Sequence, residues 1–574
     1  MITLGINNKH SNASACVVID GAVKFAIEEE RLIRVKNYNG FPTHSINACL
    51  DYIKKTTGNS EYDNIAVNFN PFFNLSHKIN KFLSLGYNNY ILTIKNLLQK
   101  IFIREFNYFN LKKKKVIYVN HHLSHISSSF YNSNFDNALG LTIDGFGDNM
   151  SLGIYSFDHN KIKLLHKICF PDSLGIFYQS ITQYLGFKDY GDEYKVMGLA
   201  AFGKKYLSKE MDTLIKYDGK FNFKLNLNFF NKKTFGIQVT TVGYPYFENL
   251  FIEKKFSSLF KRKKIDSKKI TDFHKNIAYS TQKKFSEIVL GIISSLKKEY
   301  NNYNNLCLSG GCFFNSDTVG QIIEKKIFPN IHIYPNPGDG GGSVGAALYV
   351  NNKLKNSQIN EKIFIGSSFS NKEVTRDYLK FKKQFNYSYD VNYFKSYNEL
   401  YSFVANKISK GKIVAWFQDE MEWGQRALGN RSILADPRKK EIIKKINLKI
   451  KKREEFRPFA GSVLANYKKD FFNIDEDSPF MMGVYKINKN KKNKILGISH
   501  VNNTCRIQTV LFKDNKKFYN LINEFYKITN IPILLNTSFN IDEPIVCSPY
   551  DALKTFYKSD LDYLVVQNYV FTKK

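Results

Sequence analysis

Asn305-Leu306-Cys307-Leu308-Ser309-Gly310-Gly311 reads as a short apolar strand running straight into two glycines. The same design returns downstream, where a strand over 331–334 leads into Gly338-Asp339-Gly340-Gly341-Gly342-Ser343. Upstream, a strand over 138–143 ends on Asp144-Gly145, and another over 116–119 leads into a helix over 121–130. Strands that end in glycine turns and are followed by helices predict an α/β fold with ligands at the carboxyl ends of the strands. Glycine turns there leave backbone amides bare, so phosphate oxygens can approach without meeting a Cβ.

Working outward, residues 1–30 read as strands over 2–6, 15–19 and 23–27 joined by a polar loop and the Asp20-Gly21 turn, with a helix expected over 45–54. Residues 70–112 are rich in Phe, Asn and Lys and are expected to form a lid or packing insertion; 205–270 read as irregular and aromatic, and 273–299 as one long helix. The polar, aperiodic stretch 351–362 marks a boundary, giving one domain over 1–355 and a second over 363–574. A chain of 574 residues that is 43% hydrophobic and 15% aromatic is too long for a single core and too apolar for disorder.

The net charge of +33 comes from lysines scattered along the whole chain beside abundant Asn, Ile, Tyr and Phe. That spread indicates a compositional bias rather than a nucleic-acid-binding face, and it argues against nucleic acid as a partner. Seven cysteines without a C-x-x-C pair fit reduced thiols in the cytoplasm. Met1 leads directly into a strand, and the apolar run near 288–293 is far too short to span a bilayer, so neither a signal segment nor a membrane span is expected.

Two constellations carry chemistry. His121 and His125 stand at i and i+4, the spacing that puts two imidazoles on one helical face, and Asp144 and Asp339 end nearby strands. Two histidines and two aspartates suit Fe, Mn or Zn; the competing reading is a set of satisfied structural histidines. The second constellation is arginine. Only 11 of the 84 basic residues are arginines, yet six of them lie between Arg426 and Arg506. A planar fork holds carboxylates and phosphates in a way a lysine cannot, so this block predicts a pocket for a phosphorylated or carboxylated small molecule, against the alternative of buried structural ion pairs. Lys451 joins Arg426, Arg457 and Arg506 as a cation for phosphoryl oxygens, while Asn536 and Ser538 offer neutral hydrogen bonds at a strand end.

The strings Glu28-Glu29-Glu30-Arg31, Phe41-Pro42, His121-His122-Leu123-Ser124-His125 and Glu193-Tyr194-Lys195-Val196-Met197-Gly198-Leu199-Ala200 resemble the O-carbamoyltransferases of the nodulation-factor and aminoglycoside type. So do Glu422-Trp423-Gly424-Gln425-Arg426-Ala427-Leu428-Gly429-Asn430-Arg431, Arg453-Glu454-Glu455-Phe456-Arg457-Pro458-Phe459 and Asn536-Thr537-Ser538-Phe539-Asn540. The resemblance implies an actin-like (ASKHA) N-terminal domain followed by a YrdC-like α/β C-terminal domain. It implies His121, His125, Asp144 and Asp339 as metal ligands, with Fe²⁺ preferred, and Gly310, Gly311 and Gly340 as the nucleotide contact. Glu193 and Lys195 fall near the transfer centre, and His10 is the candidate general base for an acceptor hydroxyl. Arg426, Lys451, Arg457, Arg506, Asn536 and Ser538 would hold carbamoyl phosphate and a carbamoyl-adenylate made with ATP and Mg²⁺. Transfer would then go to a hydroxyl of a sugar, glycan precursor or secondary metabolite. A tRNA threonylcarbamoyl transferase and a basic nucleic-acid-binding protein remain as alternatives, and a homodimer is left open.

Overall fold

A computed structural model describes residues 1–71, 73–74, 115–159, 161–262, 269–352 and 362–574. The chain resolves into two compact units: Met1–Val196, Lys205–Phe314 and Lys325–Lys362 form the first; Met197–Lys204, Asn315–Glu324 and Ile363–Lys574 form the second. Two short segments that precede residue 351 therefore count with the second unit, which a single cut in the sequence did not foresee.

The first unit is built on two five-stranded sheets. One joins β1 (Ile2–Asn7), β2 (Ser14–Ile19), β3 (Ala22–Glu28), β4 (Asn64–Val67) and β5 (Lys115–Tyr118) in the order β3-β2-β1-β4-β5. The other joins β6 (Asn137–Gly147), β7 (Met150–Asp158), β8 (Lys161–Cys169), β9 (Asn305–Ser309) and β10 (Asn330–Ile333) in the order β8-β7-β6-β9-β10. Both follow one plan: three antiparallel strands in sequence, then two parallel strands added beside the first. The central strands β1, β2, β6, β7 and β9 are buried apolar runs, as expected where helices cover a sheet, while β5, β8 and β10 are largely half-buried. The helix His121–Phe130 follows β5, and the helix Gly342–Asn352 follows the turn after β10.

The second unit holds a nine-stranded mixed sheet. Its strands are β11 (Asp390–Tyr393), β12 (Val414–Phe417), β13 (Arg431–Ala435), β14 (Ala460–Leu464), β15 (Val484–Lys486), β16 (Thr504–Val510), β17 (Ile533–Ser538), β18 (Tyr563–Val566) and β19 (Tyr569–Thr572), in the order β11-β19-β18-β12-β13-β17-β14-β16-β15. Helices Asn371–Phe385, Tyr397–Ser409, Lys516–Thr529 and Pro549–Tyr557 bury Phe381, Leu400, Phe518, Leu521, Phe525 and Phe556 into the core of this unit. Three of them open on a side-chain cap, from Ser370, Asn515 and Ser548.

The predicted strands and the long helix, Asp272–Glu299, are present. The stretch 205–270 corrects the expectation of irregular chain. It contains helices Ser208–Leu214 and Glu253–Leu259 and two small hairpins. Elements of two to seven residues leave no periodicity to read; here aromatic packing of Phe256 against Tyr184, Phe230, Phe251 and Phe260 holds them. Most of 70–112 and of 351–362 lies outside the described residues. Among the described residues no helix is long and apolar enough to cross a membrane.

Candidate functional site

The first site gathers at the carboxyl ends of β5, β9 and β10 and within β6. His121 opens its helix, whose cap is Asn120, the side-chain oxygen accepting from Leu123 N at 3.0 Å. Asp148, which the sequence reading missed, accepts from the backbone amides of His121 and Asn70, each at 2.8 Å. A carboxylate at a helix N-terminus is favourable, and this one fixes where His121 stands. Its signal was present in the string Asp144-Gly145-Phe146-Gly147-Asp148, four residues beyond the ligand.

His121 Nε2 lies 3.0 Å from His125 Nε2, 3.4 Å from Asp144 Oδ2 and 3.5 Å from Asp339 Oδ1. His125 Nε2 lies 3.9 Å from Asp144 Oδ2 and 3.5 Å from Asp339 Oδ1. Donor atoms bound at about 2.0–2.2 Å to one ion stand roughly 3.0–3.6 Å apart in tetrahedral or octahedral arrangement. Four of the five recorded separations fall in that range, the fifth, His125 to Asp144, being 3.9 Å, and all four donor atoms fall within 4.8 Å of one another. The donor set, two imidazoles and two carboxylates, buried or nearly so, therefore fits a divalent transition metal. Burial opposes a charge on His121, but its hydrogen bond to Asp144 and the charges of Asp339 and Asp144 outweigh burial and raise its pKa. His122, bonded through Nδ1 to Thr142 Oγ1 at 2.7 Å, goes the other way, lowered to about 3 by burial and then by its two histidine neighbours. It is a core histidine.

His10 is buried and stacks on His121, ring centroids 4.6 Å apart, so the proposed base stands beside the ligand cluster. The amides of the glycine turns are engaged within the protein. Gly311 N donates to Asp144 Oδ1 at 2.8 Å, and Gly310 N to Pro337 O at 2.7 Å. Both amides that were expected to meet a phosphate are engaged in holding the site together. Glycine is required at 310 because φ is +102° and a Cβ would sit 2.2 Å from Ile143 O. Gly340 lies in the Asp339–Gly341 turn, and its carbonyl accepts from Ser14 Oγ at 2.7 Å.

Lys195 and Glu193 separate. Lys195 Nζ pairs with Asp192 Oδ1 at 2.7 Å and lies over the Phe187 ring, an anchoring role. Glu193 is raised to about 7, chiefly by burial and further by the charge of Asp192. Gln179 donates to its carboxylate when the amide nitrogen faces it. Tyr190, also missed, accepts at its hydroxyl oxygen from Ser11 Oγ at 2.6 Å, and burial together with the charges of Asp339, Asp144 and Glu193 holds its hydroxyl protonated. The raised pKa of Glu193 has a thermodynamic signature. Unfolded, the group loses its proton near the ordinary glutamate value; folded, it keeps the proton until about 7. Its contribution to stability therefore falls as pH rises between those two values, by at most about 3 kcal/mol in all. Glu193→Gln should flatten that part of the stability–pH profile relative to wild type in melts from pH 5 to pH 8. Parallel profiles would show that Glu193 ionises normally.

The second site lies on the nine-stranded sheet. The loop carrying Arg426 wraps around Glu422, whose Oε1 accepts from the backbone amides of Leu428, Asn430 and Arg431 at 2.7, 3.4 and 3.1 Å. That carboxylate is why Glu422 precedes the arginine string, a link the sequence reading did not make. Arg426 is pushed well below its ordinary pKa by burial and by Arg506; Arg506 is lowered to about 10 by burial. The two guanidiniums, each partly exposed, repel each other, and among the described residues no carboxylate pairs with Arg506. Arg506, Ala460 and Asn536 are directly paired across β16, β14 and β17, so their side chains share one face.

Lys451 is fully engaged: Nζ donates to Ser538 O, to Ser538 Oγ at 3.2 Å, to Asn540 O at 2.9 Å and to Asn540 Oδ1 at 2.7 Å. Its ammonium organises the end of β17, and Asn540 joins Ser538 in the cluster. Arg457 Nε lies 2.6 Å from Glu454 Oε2, a charge contact rather than an aligned hydrogen bond. The remaining arginines of the block are structural. Arg431 is wholly buried, donates to the carbonyls of Gln418, Asn430, Ser367 and Asp419, and lies over Phe417. Arg438 grips Asp436, and Arg453 Nε donates to Asn447 at 2.8 Å. The block thus contains structural contacts of the kind weighed against a ligand pocket: Arg431 and Arg453 bond to carbonyl and amide oxygens, and Arg438 and Arg457 face carboxylates.

The chain was compared with known proteins. A family model described as carbamoyltransferase N-terminus matches residues 2–348, and one described as carbamoyltransferase C-terminus matches residues 405–573. The protein sll1178 of Synechocystis is 34% identical over 99% of this chain and 96% of its own length. Nodulation protein NolNO of Sinorhizobium fredii is 33% identical over 98% of this chain and 79% of its own. Among solved structures, full-length HypF in its phosphate- and nucleotide-bound form matches 62% of this chain and 56% of its own, at 14% identity and a TM-score of 0.33.

Proposed function

Because the chain belongs to the carbamoyltransferase family and is therefore a transferase, we propose that it is an ATP-dependent O-carbamoyltransferase working in two steps at two sites. The carbamoyl group of carbamoyl phosphate is activated in the second unit and delivered in the first to a hydroxyl of a sugar, glycan precursor or secondary metabolite. The observation that carries this reading is that Arg506 shares a sheet face with Asn536 and has no carboxylate partner among the described residues, with the charge of Arg426 near enough to feel it. Two forks held against their own repulsion match an anion with several oxygens. The YrdC-like reading of this unit and the actin-like reading of the first belong to the same proposal; the repeated three-plus-two sheet supports the latter.

In the activating step water adds to the carbamoyl carbon as its C–O bond to phosphate breaks, giving carbamate and phosphate; a carboxylate oxygen of the carbamate then attacks the α-phosphorus of ATP, and pyrophosphate leaves. The net balance is carbamoyl phosphate, ATP and water giving carbamoyl-adenylate, phosphate and pyrophosphate. Mg²⁺ would accompany the ATP. Arg426 and Arg506 neutralise phosphoryl oxygens, while Lys451, by holding Ser538 and Asn540, fixes the strand end beside them. In the delivering step His10 takes the proton of the acceptor hydroxyl, whose oxygen forms the new bond to the carbamoyl carbon as AMP leaves. His121, His125, Asp144 and Asp339 would hold the divalent metal, Fe²⁺ by preference, and such an ion supplies Lewis acidity for a carbonyl or phosphoryl oxygen. Glu193, protonated or ionised near neutral pH, and Tyr190 line the same cluster. Burial of both steps within one chain shields a hydrolysable intermediate.

The test is exchange of labelled pyrophosphate into ATP. It should depend on carbamoyl phosphate and require no acceptor; exchange that ignores carbamoyl phosphate sinks the proposal. Adding tRNA with labelled carbamoyl phosphate separates the alternative, because label in tRNA would favour threonylcarbamoyl-type chemistry instead.

A further inference from the structure

Lysines that read as scattered along the sequence are gathered in one place by the second unit. Residues 437–453 hold nine lysines and arginines against one acid, Glu441, and residues 486–497 hold five lysines and no acid. The two segments pack together. Gly497 N donates to Pro437 O at 2.7 Å, and a Cβ on Gly497 would lie 2.9 Å from both Lys439 O and Ile442 Cγ2. Fourteen basic residues less one acid leave +13 of the chain's net +33 in these two short stretches. Several of the cations are used inside the unit: Arg438 grips Asp436, Lys451 holds Ser538 and Asn540, Lys445 faces Asp562 at 3.5 Å, and Lys486 pairs with Glu324. Lys440, Lys444, Lys449, Lys452, Lys489 and Lys494 are different. All are exposed, and none has a carboxylate within ion-pair distance among the described residues.

The first segment is amphipathic. The helix Glu441–Lys444 continues as a π-helix over Lys445–Ile450. Ile442, Ile446 and Ile450, spaced by four, are buried in the core of the unit. The exposed ridge, also spaced by four, is Lys440, Lys444, Leu448 and Lys452. Leu448 is 43% exposed, an apolar tip set between cations. Lys440 and Lys444 form a like-charged i, i+4 pair, an arrangement that costs stability and so is not explained by the fold itself.

The chemistry of this face selects among anionic partners. The exposed side chains of both segments include neither an arginine fork nor an aromatic ring, the groups that read or stack on nucleic acid. Lysines around an exposed leucine fit a bilayer instead. Their long stems snorkel, the ammoniums reach headgroup phosphates, and the leucine enters the acyl boundary. We propose that this face of the second unit is a peripheral docking surface for an anionic lipid bilayer. Attachment of this kind is reversible and needs no spanning helix, in keeping with the lack of one among the described residues. It is independent of the carbamoyl transfer reading, since it uses no residue placed in either site.

The test is co-sedimentation of the full-length protein with vesicles of equimolar phosphatidylglycerol and phosphatidylcholine, against vesicles of phosphatidylcholine alone. Wild type should bind only the anionic vesicles, and binding should fall at least about tenfold between roughly 0.05 and 0.5 M salt, as screening requires. A lysine at an anionic surface is worth about fivefold in partitioning, so Lys440→Gln, Lys444→Gln and Lys449→Gln combined should weaken binding on the order of 100-fold. A control triple variant, Lys372→Gln, Lys382→Gln and Lys383→Gln, removes the same charge from the helix Asn371–Phe385, which packs on the helix Pro549–Tyr557 instead. It should change binding less than about threefold. Leu448→Ser should weaken binding by about tenfold without altering its salt dependence, because it removes apolar insertion and no charge. All of these positions are exposed, so melting temperatures should stay within a few degrees of wild type. Equal weakening by the two triple variants would reduce the effect to the general charge of the chain and overturn the proposal. So would a failure of wild type to bind the anionic vesicles. A tRNA affinity lost in the first triple variant while its vesicle binding persists would make the face a nucleic-acid surface instead.

Discussion

His125→Ala is expected to abolish carbamoyl transfer to an acceptor, by roughly 10³-fold or more, while leaving carbamoyl phosphate-dependent pyrophosphate exchange within about twofold of wild type. The expectation follows from where His125 stands. Its Nε2 is 3.0 Å from His121 and 3.5 Å from Asp339, so it is one of four donors at metal-ligand spacing in the first unit. With His125 gone, two carboxylates and one imidazole remain, a set that binds a divalent ion more weakly and leaves the cluster more anionic. Metal content measured on the purified protein should fall below one ion per chain. Wild type stripped by a chelator should melt at a higher temperature when Fe²⁺, Mn²⁺ or Zn²⁺ is restored, and the variant should not respond, because only a folded site that binds gains stability from the ligand. The exchange reaction is proposed for the second unit, which contributes none of the four donors. Exchange and transfer falling together would show that the two-site division is wrong.

The legibility of the sequence was uneven for identifiable reasons. The central strands were readable because their residues are buried on both faces and so form continuous apolar runs. The cluster of His121, His125, Asp144 and Asp339 was readable because a helix converts the interval from His121 to His125 into a shared face, and because Asp339 opens a glycine turn and Asp144 lies near the end of β6. The repeat of the two sheets escaped notice. It is written in only a few residues: Leu4-Gly5 in β1 and Leu139-Gly140 in β6 hold equivalent places. A Cβ on Gly5 would meet Ser343 O at 2.2 Å, and one on Gly140 would meet Ile126 Cγ1 at 2.5 Å. Each central strand thus admits a helix from the opposite repeat, which explains the glycines but leaves no extended self-similarity to detect. Roles that depend on what a neighbour has already bonded were illegible. Lys451 reads as a phosphate cation until Ser538 and Asn540 are seen to occupy its donors, and Gly311 reads as a phosphate amide until Asp144 is seen accepting from it. Glu422 and Asp148 were missed because a carboxylate that gathers backbone amides has no partner residue type to suggest it.

Arg506→Met should separate function from stability in opposite directions. Pyrophosphate exchange should drop by about 10²–10³-fold or more, because one of two phosphate forks is lost where no other guanidinium is free to substitute. The folded protein, however, should melt at the same temperature as wild type or a few degrees higher. Burial lowers Arg506 from its ordinary value of 12.5 to about 10, and Arg426 is lowered by burial and by Arg506. A base whose folded pKa is depressed contributes a penalty that is fully present below the folded value, so at neutral pH the charged Arg506 costs up to about 3 kcal/mol. A methionine of similar length removes that charge, relieves Arg426 of its neighbour and keeps most of the packing. The measurable contrast extends to ligands. Carbamoyl phosphate or inorganic phosphate should raise the melting temperature of wild type and have little effect on the variant, since the anion stabilises by matching the same two charges. A lower melting temperature together with intact exchange would identify Arg506 as a structural residue. The opposite pairing, lost exchange in a more stable protein, is the signature of charges held in place for a substrate at the expense of the fold.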